Sequence, residues 1–218
     1  SPSAVKKAAM LSFATAMVAG AVMTLLTQQW IFIPIGALAV ISAWFYTGGS
    51  NPYGYLGLGE LFVFVWFGLV AVVGTSFAQT GNITVLSLIL GAGSGSFACA
   101  LLVVNNLRDI PSDSQVGKRT LAVKLGDKLT RVLYVTLIWI GLGSSLLIAG
   151  LSFVNADSGQ PLWIGASAVA ALVAHIPGRA VINGAQGRDL IAVLAGTGRT
   201  QLVWSVLVAA ALIAESSF

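Results

Sequence analysis

The chain has 218 residues, of which 57% are hydrophobic and only 8% are charged, and its mean hydropathy is +0.92. A soluble domain carries about 25% charged residues, so this composition excludes an ordinary water-soluble domain. Its formal net charge is +4. We therefore expect a basic protein that is embedded in a lipid bilayer.

Seven stretches of the sequence are apolar and approach the length of about 20 residues that a helix needs to cross a bilayer. In chain order they cover residues 8–26, 30–46, 61–78, 83–104, 132–154, 162–181 and 200–214. A helix satisfies its own backbone polar groups, as a segment surrounded by lipid must. The sequence therefore predicts an all-α, polytopic transmembrane helix bundle that forms one domain over residues 1–218.

The basic residues predict how this bundle is oriented. With seven spans, all eleven Lys and Arg residues fall on one side of the membrane, and connections 27–29, 79–82 and 155–160 on the other side hold none. The positive-inside rule makes the basic side cytosolic. We expect a multi-pass protein of the cytoplasmic membrane, whose positive charge follows from its topology and requires no nucleic-acid partner.

Two of the cytosolic connections are longer than a helix connection needs. Residues 47–59 are rich in Gly, which predicts an irregular loop. Residues 105–131 hold most of the charge in the chain. Leu121, Leu125 and Leu129 recur every fourth residue, which predicts an amphipathic stretch leading into the fifth span. Long polar connections are often functional, so we place the chemistry here.

Three oxygen-bearing side chains stand four residues apart at the cytosolic end of the fourth span: Asn105, Asp109 and Asp113. On a continuous helix they would share one face. Two carboxylates and an amide oxygen are ligands of the kind that Mg²⁺ takes, with waters and substrate phosphates completing the set. Pro111 lies within the segment and disfavours a regular helix through it.

Basic residues close to these acids allow two interpretations. Arg108, Lys118 and Arg119 could bind the oxygens of a diphosphate that the metal leaves free. Alternatively, Asp109 and Asp113 only form surface ion pairs with these residues on a solvated loop, and such pairs contribute little. The position of the cluster against an apolar bundle favours the diphosphate site.

Other candidate sites are weaker. Gly91, Gly93 and Gly95 imitate a phosphate-binding loop, but they lie within an apolar span, which favours close helix packing. His175 is the only histidine, so a structural role is favoured over metal binding. Cys99 is the only cysteine, which excludes a disulfide within the chain and indicates a small buried side chain.

Glu60 stands at the cytosolic start of the third span. An acidic residue there stabilises a helix N-terminus through the helix dipole. It could equally contact a polar substrate, and the sequence does not separate these two roles.

Residues 105–126 resemble the second aspartate-rich motif of the UbiA superfamily of intramembrane prenyltransferases, in the specific form N-N-x-R-D-x-x-x-D-x-x-x-G-K-x-T. Within that superfamily they are most similar to the branch that prenylates 1,4-dihydroxy-2-naphthoate. Residues 46–60 are similar to the other cytosolic signature of the superfamily, and residues 187–201 resemble its last cytosolic segment. The resemblance extends over essentially the whole chain.

The resemblance implies a fold of nine transmembrane helices around a central cavity, with a first aspartate-rich motif after the second helix. No motif of that N-D-x-x-D kind occurs in this sequence. We therefore expect that the first two helices are absent, that the prenyltransferase domain is N-terminally truncated, and that the chain holds half of the metal site.

The resemblance also implies a reaction. A polyprenyl group would pass from its diphosphate to 1,4-dihydroxy-2-naphthoate with Mg²⁺ as cofactor, and loss of carboxylate would give demethylmenaquinone. Asp109 and Asp113 would be catalytic, and together with Asn105 they would hold the metal. The side chains implied to bind the diphosphate are Arg108, Lys118, Arg119 and Tyr46. Those implied, more weakly, to bind the acceptor are Tyr53 and Glu60.

Three alternatives remain open at the level of sequence. A UbiA-type enzyme could use another aromatic acceptor, such as 4-hydroxybenzoate. A transporter would carry ionisable residues in the middle of its spans, which this sequence lacks. An inactive membrane scaffold is the third alternative. Neither the prenyl chain length nor an oligomeric state is indicated.

Overall fold

The computed structural model describes residues 1–50, 52–154 and 162–216. Within these ranges the chain folds into seven α-helices, and no strand occurs, which confirms the predicted all-α class. The helices are α1 Pro2–Thr27, α2 Phe32–Thr47, α3 Gly59–Thr80, α4 Val85–Gln115, α5 Leu121–Val154, α6 Ala171–Ile182 and α7 Asp189–Ser216. Short 3₁₀ segments, Tyr53–Leu56 and Leu162–Ala170, precede α3 and α6.

Helices α1, α3, α4, α5 and α7 are each long and apolar enough to cross a membrane, whereas α2 and α6 are apolar but shorter. Each of the seven predicted spans overlaps one of these helices, although the first part of the span 162–181 is the 3₁₀ segment Leu162–Ala170. The protein is a polytopic membrane bundle. The predicted connection 155–160 lies outside the described residues.

The packed centre of the bundle is formed by α4 and α5, with α7 against them. Phe97 of α4, Tyr134 of α5 and Trp204 of α7 are buried there, and the rings of Phe97 and Trp204 lie 5.4 Å apart. The Tyr134 hydroxyl and Thr197 Oγ1 of α7 are hydrogen-bonded at 2.7 Å. These contacts hold the three helices in register. Helices α1 and α2 instead expose many large apolar side chains, as lipid-facing helices do.

Glycines bring α3 and α4 into close contact. A Cβ added at Gly68 would lie 2.5 Å from Gly95 Cα and 2.7 Å from the Gly91 carbonyl oxygen. At Gly93 a Cβ would meet Ser144 of α5. The interpretation of Gly91, Gly93 and Gly95 as helix-packing residues is therefore confirmed.

Helix α4 begins at a capping box and runs further than expected. The Ser87 N–H donates to Thr84 Oγ1 at 3.1 Å, and the Thr84 N–H donates to Ser87 Oγ at 3.2 Å. The helix does not stop at Val104 but continues through Pro111 to Gln115. Pro111 removes only one intrahelical bond, and it does so on an exposed surface near the helix end, so the expected interruption there is wrong.

The predicted amphipathic stretch before the fifth span is interrupted. Gly126 has φ 75° and ψ 173°, which breaks the helical path within α5. Side chains on either side of this kink no longer follow one helical period. As a result Leu129 is 54% exposed, whereas Ala122 and Thr130 are buried.

Helix α7 begins at Asp189, eleven residues before the predicted span. Arg199, which we expected in the connection, lies ten residues inside this helix, about 15 Å along its axis. Residues 190–195 are all apolar, but Gly196, Gly198 and Arg199 interrupt the apolar run, and the predicted span begins only after them. Leu190, Val193 and Thr197 are buried against the bundle, and this packing stabilises the part of the helix that the prediction omitted.

Candidate functional site

A polar pocket of about 190 Å³ opens where α4 leaves the bundle. Four segments build it: the end of α2, the 3₁₀ turn, the end of α4 and the connection to α5. Its lining residues are Tyr46, Thr47, Gly54, Tyr55, Leu102, Asn105, Asn106, Asp109, Asp113, Lys118 and Thr120. We call this site the polar pocket, and the end of the bundle on which it lies the basic end.

Asn105, Asp109 and Asp113 all line the polar pocket from α4. Because α4 is continuous over this segment, they stand one above another with a rise of about 6 Å per step. The shared face predicted from their spacing is therefore present. Asp113 is only 7% exposed. It therefore does not lie on a solvated loop, as the alternative interpretation requires.

Both carboxylates are paired with basic side chains. Arg108 Nε and Nη2 donate to Asp109 Oδ1 and Oδ2 at 2.8 and 2.9 Å, a bidentate arrangement. Lys118 Nζ lies 3.1 Å from Asp113 Oδ1. The hydrogen bond to Asp113 raises the pKa of the Lys118 amine, so this ammonium stays charged at neutral pH.

The 3₁₀ turn is fastened to the connection after α4. The Arg119 N–H donates to the Tyr55 carbonyl oxygen at 2.9 Å, and Lys124 Nζ donates to the Leu56 carbonyl oxygen at 2.7 Å. The Lys118 ammonium lies 4.8 Å from the centre of the Tyr55 ring. These contacts position Lys118, whereas the exposed Arg119 side chain lies outside the polar pocket.

The donor set of the polar pocket fits Mg²⁺ as a partial coordination shell. It offers two carboxylates and one amide oxygen from one helix face, the hard oxygen donors that this ion prefers. Within the described ranges, no group of three or more His, Cys, Asp or Glu side chains could hold a metal ion. The other ligands would have to come from water and from substrate oxygens.

A second pocket, of about 530 Å³, lies between α2 and α3. Tyr46, Tyr53, Phe62, Trp66 and Phe67 line it, and we call it the aromatic pocket. Tyr53 and Phe62 are stacked with ring centres 4.0 Å apart. Tyr46 lines both this pocket and the polar pocket, so one side chain connects the two.

The hydroxyl of Tyr53 is already engaged. It donates to the Ser42 carbonyl oxygen at 2.7 Å, and partial burial raises the pKa of this phenol. Tyr53 therefore presents its ring, rather than its hydroxyl, to the aromatic pocket. The Trp66 indole N–H is buried and has no hydrogen-bond partner among the described residues.

Part of α3 that lines the aromatic pocket, Phe64–Val73, is a π-helix. Such segments occur frequently at functional sites. The apolar sequence of α3 does not distinguish a π-helix from an α-helix, so sequence reasoning could not find this feature.

Glu60 is 8% exposed and lies behind the polar pocket. Its Oε1 accepts a hydrogen bond from Asn106 Nδ2 at 3.0 Å, and its buried Oε2 has no partner in the described structure. Its carbonyl oxygen accepts from Cys99 Sγ at 3.0 Å, and this cysteine is buried as predicted. Sequence analysis missed Asn106, although the Asn pair at the start of the motif was a usable signal.

The chain is similar in sequence to known membrane prenyltransferases. The model of the UbiA prenyltransferase family matches residues 3–183. A 1,4-dihydroxy-2-naphthoate octaprenyltransferase of Mycobacterium tuberculosis is 44% identical over 97% of this chain and 69% of the relative. The enzyme of the same name from Mycobacterium leprae is 41% identical over 99% of this chain and 70% of the relative.

More distant similarity covers less of each protein. The 1,4-dihydroxy-2-naphthoate octaprenyltransferase of Escherichia coli is 38% identical over 61% of this chain and 41% of the relative. No solved structure matches the chain.

Proposed function

Because this chain belongs to the UbiA prenyltransferase family, we propose that it transfers a polyprenyl group from its diphosphate to 1,4-dihydroxy-2-naphthoate. The observation that carries the proposal is the connection of the polar pocket to the aromatic pocket through Tyr46. One pocket suits the charged diphosphate, and the other suits apolar and aromatic groups. The protein would lie in the cytoplasmic membrane, with its basic end on the cytosolic side.

The diphosphate would bind in the polar pocket. A Mg²⁺ ion held by Asn105, Asp109 and Asp113 would neutralise its charge and make it a better leaving group. Lys118 has donors to spare, because an ammonium carries three N–H groups. Those not used on Asp113 are available to oxygens of the diphosphate, and the Tyr46 hydroxyl provides one more donor. Arg108, which was implied to bind the diphosphate, holds Asp109 but lines a neighbouring pocket beside Asp127 and Arg131 rather than the polar pocket, so its role here is to position Asp109.

Transfer begins when the bond between the allylic carbon and the diphosphate oxygen breaks, and the oxygen keeps the electron pair. The allylic cation that forms is stabilised by the faces of aromatic rings, and Tyr46 and Phe62 lie on the path into the aromatic pocket. Apolar walls exclude water, which would otherwise capture the cation. A ring carbon of the acceptor then forms the new bond to the allylic carbon, and the carboxylate leaves as carbon dioxide while its bonding electrons return to the ring. The product is the quinol form of demethylmenaquinone, which oxygen in the assay oxidises to the quinone.

The acceptor is tested by competition. Vesicles containing the full-length protein would receive Mg²⁺, a polyprenyl diphosphate and equal amounts of 1,4-dihydroxy-2-naphthoate and 4-hydroxybenzoate. We expect prenylated naphthoquinone as the main product, measured by mass spectrometry. Prenylated 4-hydroxybenzoate as the main product would contradict the naphthoate assignment while keeping the reaction type.

A further inference from the structure

A groove of about 170 Å³ runs between α5 and α6 on the outer surface of the bundle. It is lined on α5 by Ile138 and Trp139 and on α6 by Ala174, His175, Gly178 and Arg179. The groove shares no lining residue with the polar pocket or the aromatic pocket, so it is separate from the site proposed for prenyl transfer.

The groove faces lipid. Of its lining residues, Trp139 on α5 is 63% exposed and Ile182 on α6 is 65% exposed, and Leu172 and Ile176, which flank it on α6, are 75% and 73% exposed. Gly178 leaves open space, since a Cβ built there would meet no atom within 4 Å. An apolar channel in a lipid-facing surface accommodates an extended acyl chain.

Arg179 lies at the end of this groove nearest the basic end, in the last turn of α6. A cation in this position often binds the terminal carbonyls of its helix. Here Arg131 of α5 already donates to the carbonyl oxygen of Val181 in the last turn of α6 at 2.7 Å, and to that of Ala185, just after the helix, at 3.0 Å. Arg179 is therefore not required for capping.

No described carboxylate neutralises Arg179 either. The ion pairs of the described structure join Arg108 to Asp109, Lys118 to Asp113, and Arg131 to Asp127. Arg179 enters none of them and is exposed. Its charge is thus available to an anion that approaches from the membrane surface.

We propose that this groove binds one anionic phospholipid, with its phosphate on Arg179 and an acyl chain along the channel. Basic pockets between transmembrane helices bind anionic head groups. Trp139 lies eight residues beyond Arg131 on α5, about 12 Å deeper, which is within reach of an acyl chain. His175 stands one helical turn deeper than Arg179 on α6 and provides a further hydrogen-bonding group beside the glycerol region.

Trp139 makes this site measurable. The protein would be reconstituted in phosphatidylcholine vesicles that contain a small fraction of either phosphatidylglycerol or phosphatidylcholine brominated on its acyl chains, since bromine quenches tryptophan fluorescence on contact. The contribution of Trp139 is the difference between wild type and Trp139→Phe. We expect brominated phosphatidylglycerol to occupy the site about fivefold more readily than brominated phosphatidylcholine.

The Arg179→Gln variant should lose this preference, whereas Arg188→Gln should keep it. Arg188 is an exposed arginine in the connection before α7 and does not line the groove, so its replacement removes the same charge elsewhere. Equal quenching by both lipids, or equal losses in the two variants, would overturn the proposal. If neither lipid quenches Trp139, the proposal is also overturned, since no lipid then enters the groove. That result would indicate that a second copy of the protein covers it.

Discussion

The two carboxylates of the polar pocket are held in ion pairs. Asp113 is buried beside the Lys118 ammonium, and Asp109 accepts two hydrogen bonds from the guanidinium of Arg108. Each pair holds a carboxylate and a cation in a fixed position before substrate arrives. On binding, the metal ion would take the place of the cations beside the carboxylates, and the diphosphate would take the place of the carboxylates beside the cations. Because these charges are already in position, the pocket is preorganised for the proposed reaction.

Lys118→Gln should raise the KM for the polyprenyl diphosphate about tenfold or more, because a charge-assisted hydrogen bond is lost. The measurement is initial rate against diphosphate concentration in vesicles. Lys128→Gln is the matched control, since Lys128 is exposed and does not line the polar pocket. An unchanged KM in Lys118→Gln would show that this residue does not contact the diphosphate.

At the scale of helices and their contacts, hydropathy located each span but not each helix end. Helix α4 continues eleven residues beyond Val104, and α7 begins eleven residues before residue 200. Hydropathy reports contact with lipid, whereas helicity depends on backbone hydrogen bonds and packing. The continuation of α4 through Pro111 is what aligns Asn105, Asp109 and Asp113, so the site depends on a feature that the sequence did not predict.

The contact between α3 and α4 predicts a steric effect. Gly68→Ala would place a Cβ against the backbone of Gly95 and Gly91, and the resulting separation should lower the stability by about 1–3 kcal/mol. Thermal unfolding in detergent measures it. Gly143→Ala on α5, where a Cβ meets nothing within 4 Å, should be neutral or slightly stabilising. If the two variants unfold alike, the close contact is not present.

The Arg131 side chain joins α5 to the end of α6. It binds Asp127 through two nitrogens and also donates to the carbonyl oxygens of Val181 in the last turn of α6 and of Ala185 just after it. Arg131→Gln should therefore lower the free energy of unfolding by about 2–3 kcal/mol. Lys128→Gln, one turn away and exposed, should leave the same unfolding midpoint unchanged. Equal midpoints for wild type and Arg131→Gln would contradict this role.

At the scale of the whole molecule, composition and charge were sufficient to predict a polytopic helical bundle. The local part of the site was also readable, because Asn105 to Lys118 are close in sequence. Tyr46 could be named only through the family resemblance, and the role of Glu60 stayed open, because both come near the site through tertiary packing: Tyr46 lines the polar pocket, and Glu60 lies behind it, bonded to Asn106. The aromatic pocket likewise combines α2, the 3₁₀ turn and a π-helical segment whose residues show no distinguishing pattern.

Prenyl transfer by the Asp113→Asn variant tests the central claim most directly. Vesicles containing the full-length wild type, Asp113→Asn or Asp189→Asn would receive a polyprenyl diphosphate and 1,4-dihydroxy-2-naphthoate, and product would be measured over a range of Mg²⁺ concentrations. Asp189 is the control, because it is exposed at the start of α7 and lies outside the polar pocket.

We predict that wild type and Asp189→Asn form prenylated naphthoquinone at similar rates, and that a chelator abolishes both. Asp113→Asn should be slower by about 10²–10³-fold, the size of effect expected when a group that stabilises developing charge is removed. If Asp113→Asn forms product at the wild-type rate with the same Mg²⁺ dependence, the polar pocket is not where the diphosphate is activated.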